Sequence, residues 1–440
     1  MMRSRISTGA LRRTLNPSKK PKFRTTKKSC AGESQKRQKN MDRETSGKAA
    51  VVSRIGTGQK SVSVYCGIPY CASICTYCDF NVYARREHEF DAYVNALTRE
   101  IENTAADFSP PRFAKTLSFG GGTPSLLSAR QIEKIVAAVR ENFLFDARAE
   151  WMLEANPRTV DLEKLRALRA MGLNRLSLGV QTFDDARLRQ FNRAHTAADA
   201  YDAFDWARRA GFENISLDLI YGLPEQSLDD WRATLERALA FQSEHLSLYG
   251  LQVEERTVLK KQIDLGRVPV PDTELAAQMY ELASEMLARA GLVHYEISNW
   301  ARPGYESQHN KTYWLNEPYL GFGAGAHSFW RGARFENVRS PRAYIERLGN
   351  GESVIVAREN ISRATEMSET MFLGLRLAEG VAWTRFRERF GADARDIFAD
   401  AIAALRESKM AVIDAERICL TGQGMLVSNQ LLWRFLLDEE

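Results

Sequence analysis

From Ser61 onward the chain repeats one unit: a short β-rich run, a turn of polar or Gly residues, then a segment of helical period. The repeat is about 30 residues long. The strand candidates are Val62–Cys66, Thr116–Phe119, Trp151–Leu153, Arg175–Leu178, Ile215–Leu219 and His245–Tyr249. Helical periods fall between them at Glu87–Ala106, Ala129–Asn142, Asp161–Ala170, Ala198–Arg209 and Leu228–Phe241. Strands alternating with helices imply parallel strands joined by right-handed crossovers. The expected fold is α/β: a partial TIM-type (β/α)6 barrel, with its chemistry at the C-terminal strand ends.

The barrel is expected over residues 61–290 and an extension of it over 291–360. Residues 361–440 read differently. Helical periods fill Ser362 to Leu405, followed by Ala411–Ala415, a turn, Ile418–Thr421 and a last helix near Ser428–Leu436. That order predicts a small winged-helix-like α+β domain. A wing that binds nucleic acid needs cations, and this one offers only Arg417 against Asp414 and Glu416. Packing against the barrel is the expected role.

Charge divides the chain sharply. Residues 1–60 carry 17 Lys and Arg against three Asp and Glu, leaving 44 basic and 53 acidic residues in the remainder. A mildly acidic body lacks the basic face of a nucleic-acid binder. No apolar run reaches the roughly 18 residues of a membrane span. Six cysteines in 440 residues are too few for a secreted disulfide scaffold.

The basic tail has Lys/Arg pairs, many Ser and Thr and few large apolar residues, a composition that stays disordered. No acidic residue precedes Glu33, as in an organellar transit peptide, yet no h-region or cleavage site is evident. We read it as sequence upstream of a true start at Met41, which places the protein in the cytoplasm. Mitochondrion or plastid is the alternative if the tail is an address.

Three cysteines fall within eight residues: Cys71-Ala-Ser-Ile-Cys75-Thr-Tyr-Cys78, in the loop after the first strand. Three thiolates on one short loop can hold three irons of a 4Fe-4S cluster and leave the fourth open. A ferredoxin would supply a fourth Cys, and zinc a closed set of four ligands.

This spacing resembles the radical S-adenosylmethionine (SAM) superfamily. The flanking Ile68-Pro69-Tyr70 and Tyr77-Cys78-Asp79-Phe80 resemble its oxygen-independent coproporphyrinogen III oxidase-like branch. Phe119-Gly-Gly-Gly-Thr-Pro-Ser125, Glu154-Ala-Asn-Pro157, Gly179-Val-Gln-Thr-Phe183 and Asp218-Leu-Ile-Tyr-Gly-Leu-Pro224 follow in that branch's order. The resemblance implies a 4Fe-4S cluster on Cys71, Cys75 and Cys78, with SAM contacted by Tyr65, Gly121, Gly122, Thr123, Glu154, Gln181, Arg193 and Asp218. It implies one-electron cleavage of SAM to methionine and a 5′-deoxyadenosyl radical, with an electron donor as partner. No catalytic side chain is assigned.

Two activities occur in this branch. The oxidase decarboxylates two propionates, and its loop carries one more Cys two residues past the third ligand. Phe80 stands at that position. The other is a heme chaperone, which passes heme to heme-requiring acceptor proteins and whose HNxxYW motif matches His309-Asn310-Lys-Thr-Tyr313-Trp314. Both features favour the chaperone, with heme as cargo and His309 as a candidate iron ligand. His327, in Gly323-Ala-Gly-Ala-His-Ser328, is the second candidate; His88, His195, His245 and His294 read as structural. The branch usually has a His where Gly67 stands, and Cys66 is an extra thiol expected to face the barrel interior.

Overall fold

The computed structural model describes residues 61–437 apart from 107, 109 and 110, so the basic tail lies outside the described residues. All six expected strands form, longer than the apolar pattern alone marks them. They are β1 (Val62–Ile68), β2 (Arg112–Gly121), β3 (Phe143–Ala155), β4 (Arg175–Gln181), β5 (Ile215–Tyr221) and β6 (His245–Gly250). Each pairs in parallel with the next. The intervening helices are α1 (Phe90–Ala106), α2 (Ala129–Asn142), α3 (Leu162–Ala170), α4 (Ala197–Arg209) and α5 (Leu228–Ala240). Local chemistry sets their starts. Ser128, Thr196 and Ser227 each close a capping box, trading hydrogen bonds with the third helical residue and so satisfying two orphan backbone donors.

Residues 291–360 extend the same sheet. They supply β7 (Val293–Glu296), β8 (Asn299–Ala301), β9 (Tyr319–Phe322), β10 (His327–Trp330), β11 (Ala333–Asn337) and β12 (Ile355–Asn360). The sheet runs β12-β11-β10-β9-β1-β2-β3-β4-β5-β6-β8-β7. β9 lies parallel beside β1, so a seventh parallel strand enters on the side away from β2. The barrel is therefore open and partial. Beyond it, Val381–Ala382, Ala411–Ile413 and Arg417–Leu420 form a small antiparallel sheet among helices, the expected winged-helix-like unit, with its own core around Trp383, Phe386, Phe398 and Phe435.

The two faces of the main sheet differ chemically. The outer face packs Leu117, Leu153, Leu176, Leu178, Leu217 and Leu246 under the helices. The inner face carries a polar row: Ser63, Thr116, Glu150, Arg175, Ser216 and His245, all buried. Register explains the row, since Ser63 pairs with Thr116, Thr116 with Glu150, and Ser216 with His245. A barrel with a purely structural core fills its inside with branched apolar residues. Buried polar groups persist only where they are hydrogen-bonded, so this lumen is a built site.

Cys66 is buried, as expected, but not inside the barrel. Strand residues alternate faces. Tyr65 and Gly67 share the inner face, where a Cβ at Gly67 would lie 3.3 Å from the Tyr65 ring. Cys66 therefore points outward beneath α1, close enough to the Glu100 carboxylate for its charge, after burial, to help push the thiol pKa up.

Candidate cofactor site at the barrel mouth

The cysteine loop leaves β1 and is tied down along its length. Tyr70–Cys71 bridges Tyr83–Ala84. Ser73 Oγ donates to the Asn192 carbonyl (2.9 Å), and Asn192 Nδ2 donates to the Ile74 carbonyl (2.8 Å). The amide of Leu259 donates to the Thr76 carbonyl (2.8 Å). Asn81 Nδ2 donates to the carbonyls of Ala324 (3.3 Å) and Arg339 (2.9 Å), joining this loop to the one that carries His327. Only glycine fits at 325, where a Cβ would stand 2.6 Å from Asn81 Nδ2.

Cys71, Cys75 and Cys78 are all part-buried in this loop. Burial raises Cys71, and it pushes Cys78 up to about 11; the neighbouring cysteines add to both shifts. Among the described residues no three His, Cys, Asp or Glu side chains already stand at metal-ligating geometry. The donor set still suits a cluster: three thiols on one anchored loop, beside a cation. Arg193 Nη1 lies 3.3 Å from Cys75 Sγ, and its Nε is buried without a partner. Thr123 Oγ1 donates to Cys71 Sγ (3.5 Å). These residues fit a thiolate-bound centre.

The Gly-Gly-Gly segment has a structural reason at each position. A Cβ at Gly120 would meet the Glu154 carboxylate at 2.8 Å. Gly121 has φ +106°, which favours glycine. At Gly122 a Cβ would stand 2.6 Å from the Tyr70 carbonyl, because the amides of Gly122 and Thr123 pair with the carbonyls of Ile68 (2.8 Å) and Tyr70 (2.7 Å). The expected SAM loop is thus also the brace of the cysteine loop. Its residue 122 and 123 amides are already used.

The other expected SAM residues on strands lie on the inner face, from the middle of the strands to their C-terminal ends. Tyr65 is buried on β1. Glu154 accepts from the Gly121 amide, and burial with the Asp218 charge pushes it up to about 7. Asp218 is raised by burial, although the hydroxyls of Ser177 (2.9 Å), Ser216 (3.0 Å) and Ser247 all donate to it. Gln181 ends β4 at φ +67°, next to a register shift in the strand. Two neighbours hold that distortion: Arg193 Nη2 donates to the Gly179 carbonyl (2.7 Å), and His195 Nε2 bonds the Val180 carbonyl (3.0 Å). Arg193, another expected SAM contact, bonds Cys75 and Gly179 here, and its buried Nε has no partner.

Sequence reasoning missed the Ser177, Ser216 and Ser247 cage. The signal was present in Arg-Leu-Ser-Leu, Ser-Leu-Asp-Leu and His-Leu-Ser-Leu-Tyr. Parallel strands covered on both faces read as continuous apolar runs, so strict alternation marks a polar lumen.

The helix Gln308–Trp314 closes the lumen from below. Glu150 accepts from the amides of Gln308 (3.1 Å) and His309 (2.9 Å), and Ser307 Oγ from that of Asn310 (3.2 Å). His309 is 2 % exposed. Its Nδ1 bonds Thr116 Oγ1 (2.7 Å) and its Nε2 the Tyr313 hydroxyl (2.9 Å), while burial lowers its pKa to about 3. The imidazole is neutral, and iron at Nε2 would have to replace Tyr313. His327 lies nearer the surface, 17 % exposed, with Nε2 4.0 Å from Glu336.

Comparison with known proteins agrees with this geometry. Residues 65–238 match the Radical SAM superfamily, and residues 361–427 match the HemN C-terminal domain. The fold and the matched segment are those of a radical SAM protein. The chain is 40% identical to the heme chaperone HemW of Bacillus subtilis, over 85% of this chain and 99% of that protein. It is 36% identical to HemW of Lactococcus lactis, over 87% and 99%. It is 34% identical to the bovine protein called radical S-adenosyl methionine domain-containing protein 1, mitochondrial, over 86% and 88%. The coproporphyrinogen III oxidase HemN of Escherichia coli superposes with a TM-score of 0.76 at 26% identity, covering 86% of this chain and 90% of that one. The chain belongs to the HemW family of radical SAM heme chaperones.

Proposed function

We propose that this protein binds heme and delivers it to heme-requiring proteins, on a scaffold that holds a 4Fe-4S cluster and SAM. The observation that carries the reading is Phe80, 63 % exposed on the cysteine loop where the oxidase has a further Cys. The His309–Trp314 motif agrees with it. Cys71, Cys75 and Cys78 would hold the cluster. Glu154, Asp218, Gln181 and Tyr65 would hold SAM at the lumen mouth, with Gly121, Gly122 and Thr123 shaping the approach. When bound, the cluster supplies the electron that cleaves SAM, and that electron must come from an external donor. Around it the chain's own residues exclude water and fix orientation. Gly67 places no side chain in the lumen where the branch usually has a histidine, which suits a carrier better than a decarboxylase.

Among the described residues no helix is long and apolar enough to cross a membrane. We place the protein in the cytoplasm; mitochondrial or plastid fractionation of the full chain would reverse this. The functional test pairs two assays on anaerobically reconstituted protein. Saturable heme binding and transfer to an apo heme protein, without consumption of coproporphyrinogen, is the expected result. Conversion of coproporphyrinogen to protoporphyrinogen, or no saturable heme binding, overturns it.

A further inference from the structure

Below Asp218 the lumen holds a chain of hydrogen bonds that can run in only one direction. The Ser307 amide donates to the Tyr295 hydroxyl oxygen (3.3 Å). That hydroxyl bonds His245 Nε2 (2.9 Å). His245 Nδ1 bonds Ser216 Oγ (2.8 Å), and Ser216 Oγ donates to Asp218 Oδ1 (3.0 Å), with Ser247 Oγ, itself bonded to Asp218, 3.1 Å to the side. Tyr295, His245 and Ser216 are all buried. The two ends fix the sense, since a backbone N–H only donates and a carboxylate only accepts. Tyr295 must therefore give its proton to Nε2, and Nδ1 must carry the imidazole proton and give it to Ser216. The reverse arrangement would put two donors on the Tyr295 oxygen and strand its own O–H without an acceptor, which is costly in a buried network. Burial, with Arg175 nearby, also disfavours the protonated imidazole.

We infer that His245 is a positioning residue for the SAM site: a neutral Nδ1–H imidazole that keeps the Ser216 proton on Asp218 and holds that carboxylate ionised and aimed. The inference rests on the reading of Asp218 as a SAM contact. It assigns a role to His245, Tyr295 and Ser307, none of which is among the expected SAM contacts. Ser307 also caps the helix that bears His309, so the relay is anchored to that helix.

Two measurements test it on the full-length, cluster-reconstituted protein. In ¹⁵N-histidine NMR, the wild-type His245 should show a protonated Nδ1 and a bare Nε2. A protonated Nε2 overturns the relay, whatever any variant does. In SAM titration calorimetry, Tyr295→Phe should weaken binding by roughly five- to twentyfold, the scale of one buried hydrogen bond to a charged group. Ser216→Ala should do the same, and the double variant should be no worse than Ser216→Ala alone, because both act through one proton. Additive losses would mean that Tyr295 acts by packing alone and would defeat the proposal. Asp218→Asn separates the two readings. If it leaves SAM affinity unchanged, the site reading fails and the relay loses its purpose; if it weakens binding while Tyr295→Phe does not, only the relay fails.

Discussion

Arg193 stands with one guanidinium nitrogen 3.3 Å from the Cys75 sulfur and another 2.7 Å from the carbonyl of Gly179. One side chain thus joins the cysteine loop to the distorted end of β4, where Gln181 sits. A guanidinium here can balance the negative charge of a metal-bound thiolate. Replacing Arg193 by Gln should therefore lower both iron loading and SAM affinity. Iron analysis and SAM titration on the same sample check this, and full iron loading in that variant would disprove the link.

The cysteines themselves should separate cleanly. Cys71→Ala, Cys75→Ala and Cys78→Ala should each lose the roughly 400 nm absorbance of a 4Fe-4S centre after anaerobic reconstitution. Cys66→Ala should keep it, since that thiol points away from the lumen beneath α1. Loss of the absorbance in the Cys66 variant would refute the three-ligand assignment.

Gly120→Ala should damage the site more than the fold. The new Cβ would press on the Glu154 carboxylate at 2.8 Å, and a flexible side-chain end can move aside. We expect a stability loss of about 1–2 kcal/mol by denaturant unfolding, with a larger relative loss in SAM affinity. Normal SAM binding would show that Glu154 does not touch the ligand.

The contributions of Glu100 and Glu296 to stability should fall as pH rises from about 5 to 8, while the buried neutral histidines His195 and His309 act in the opposite sense below about 6.5. Burial pushes Glu100 up to about 7 and Glu296 up to about 8, from an ordinary 4.5. A folded pKa above the unfolded one means the native state holds the proton more tightly, so stability is lost as pH climbs through that interval. The ceiling is on the order of 3 kcal/mol for Glu100 and about 5 kcal/mol for Glu296. Glu100 accepts from the Gly323 amide (2.8 Å), Asn337 Nδ2 (2.6 Å) and the Tyr344 hydroxyl. Urea midpoints at pH 5.5 and 8 should differ in the wild type and differ less in Glu100→Gln. Equal slopes in the two proteins would exclude Glu100 as the source.

The heme spectrum should report on His309. If it ligates iron, His309→Ala shifts the Soret band and weakens binding without abolishing it, because Tyr313 and Trp314 still bury apolar surface. An unchanged spectrum moves the ligand elsewhere, and His327→Ala is then the variant to measure.

The sequence by itself determined the order of strands and helices, the capped helix starts and the cysteine loop. Each follows from local rules: side-chain period, capping chemistry and ligand spacing. It also placed Glu154, Gln181 and Asp218 at or near strand ends, because a parallel barrel gathers strand ends at one mouth. Tertiary structure alone decided the rest. Nothing local sends β9 back beside β1, where Ser63 pairs with Tyr319. The face on which Cys66 lies, the partners that occupy Arg193 and the hydroxyl cage around Asp218 all depend on strand register, which brings residues from different strands to one height. Direction in the hydrogen-bond chain from Ser307 to Asp218 needs residues as far as 50 positions apart in sequence to bond, and only the folded sheet brings them together.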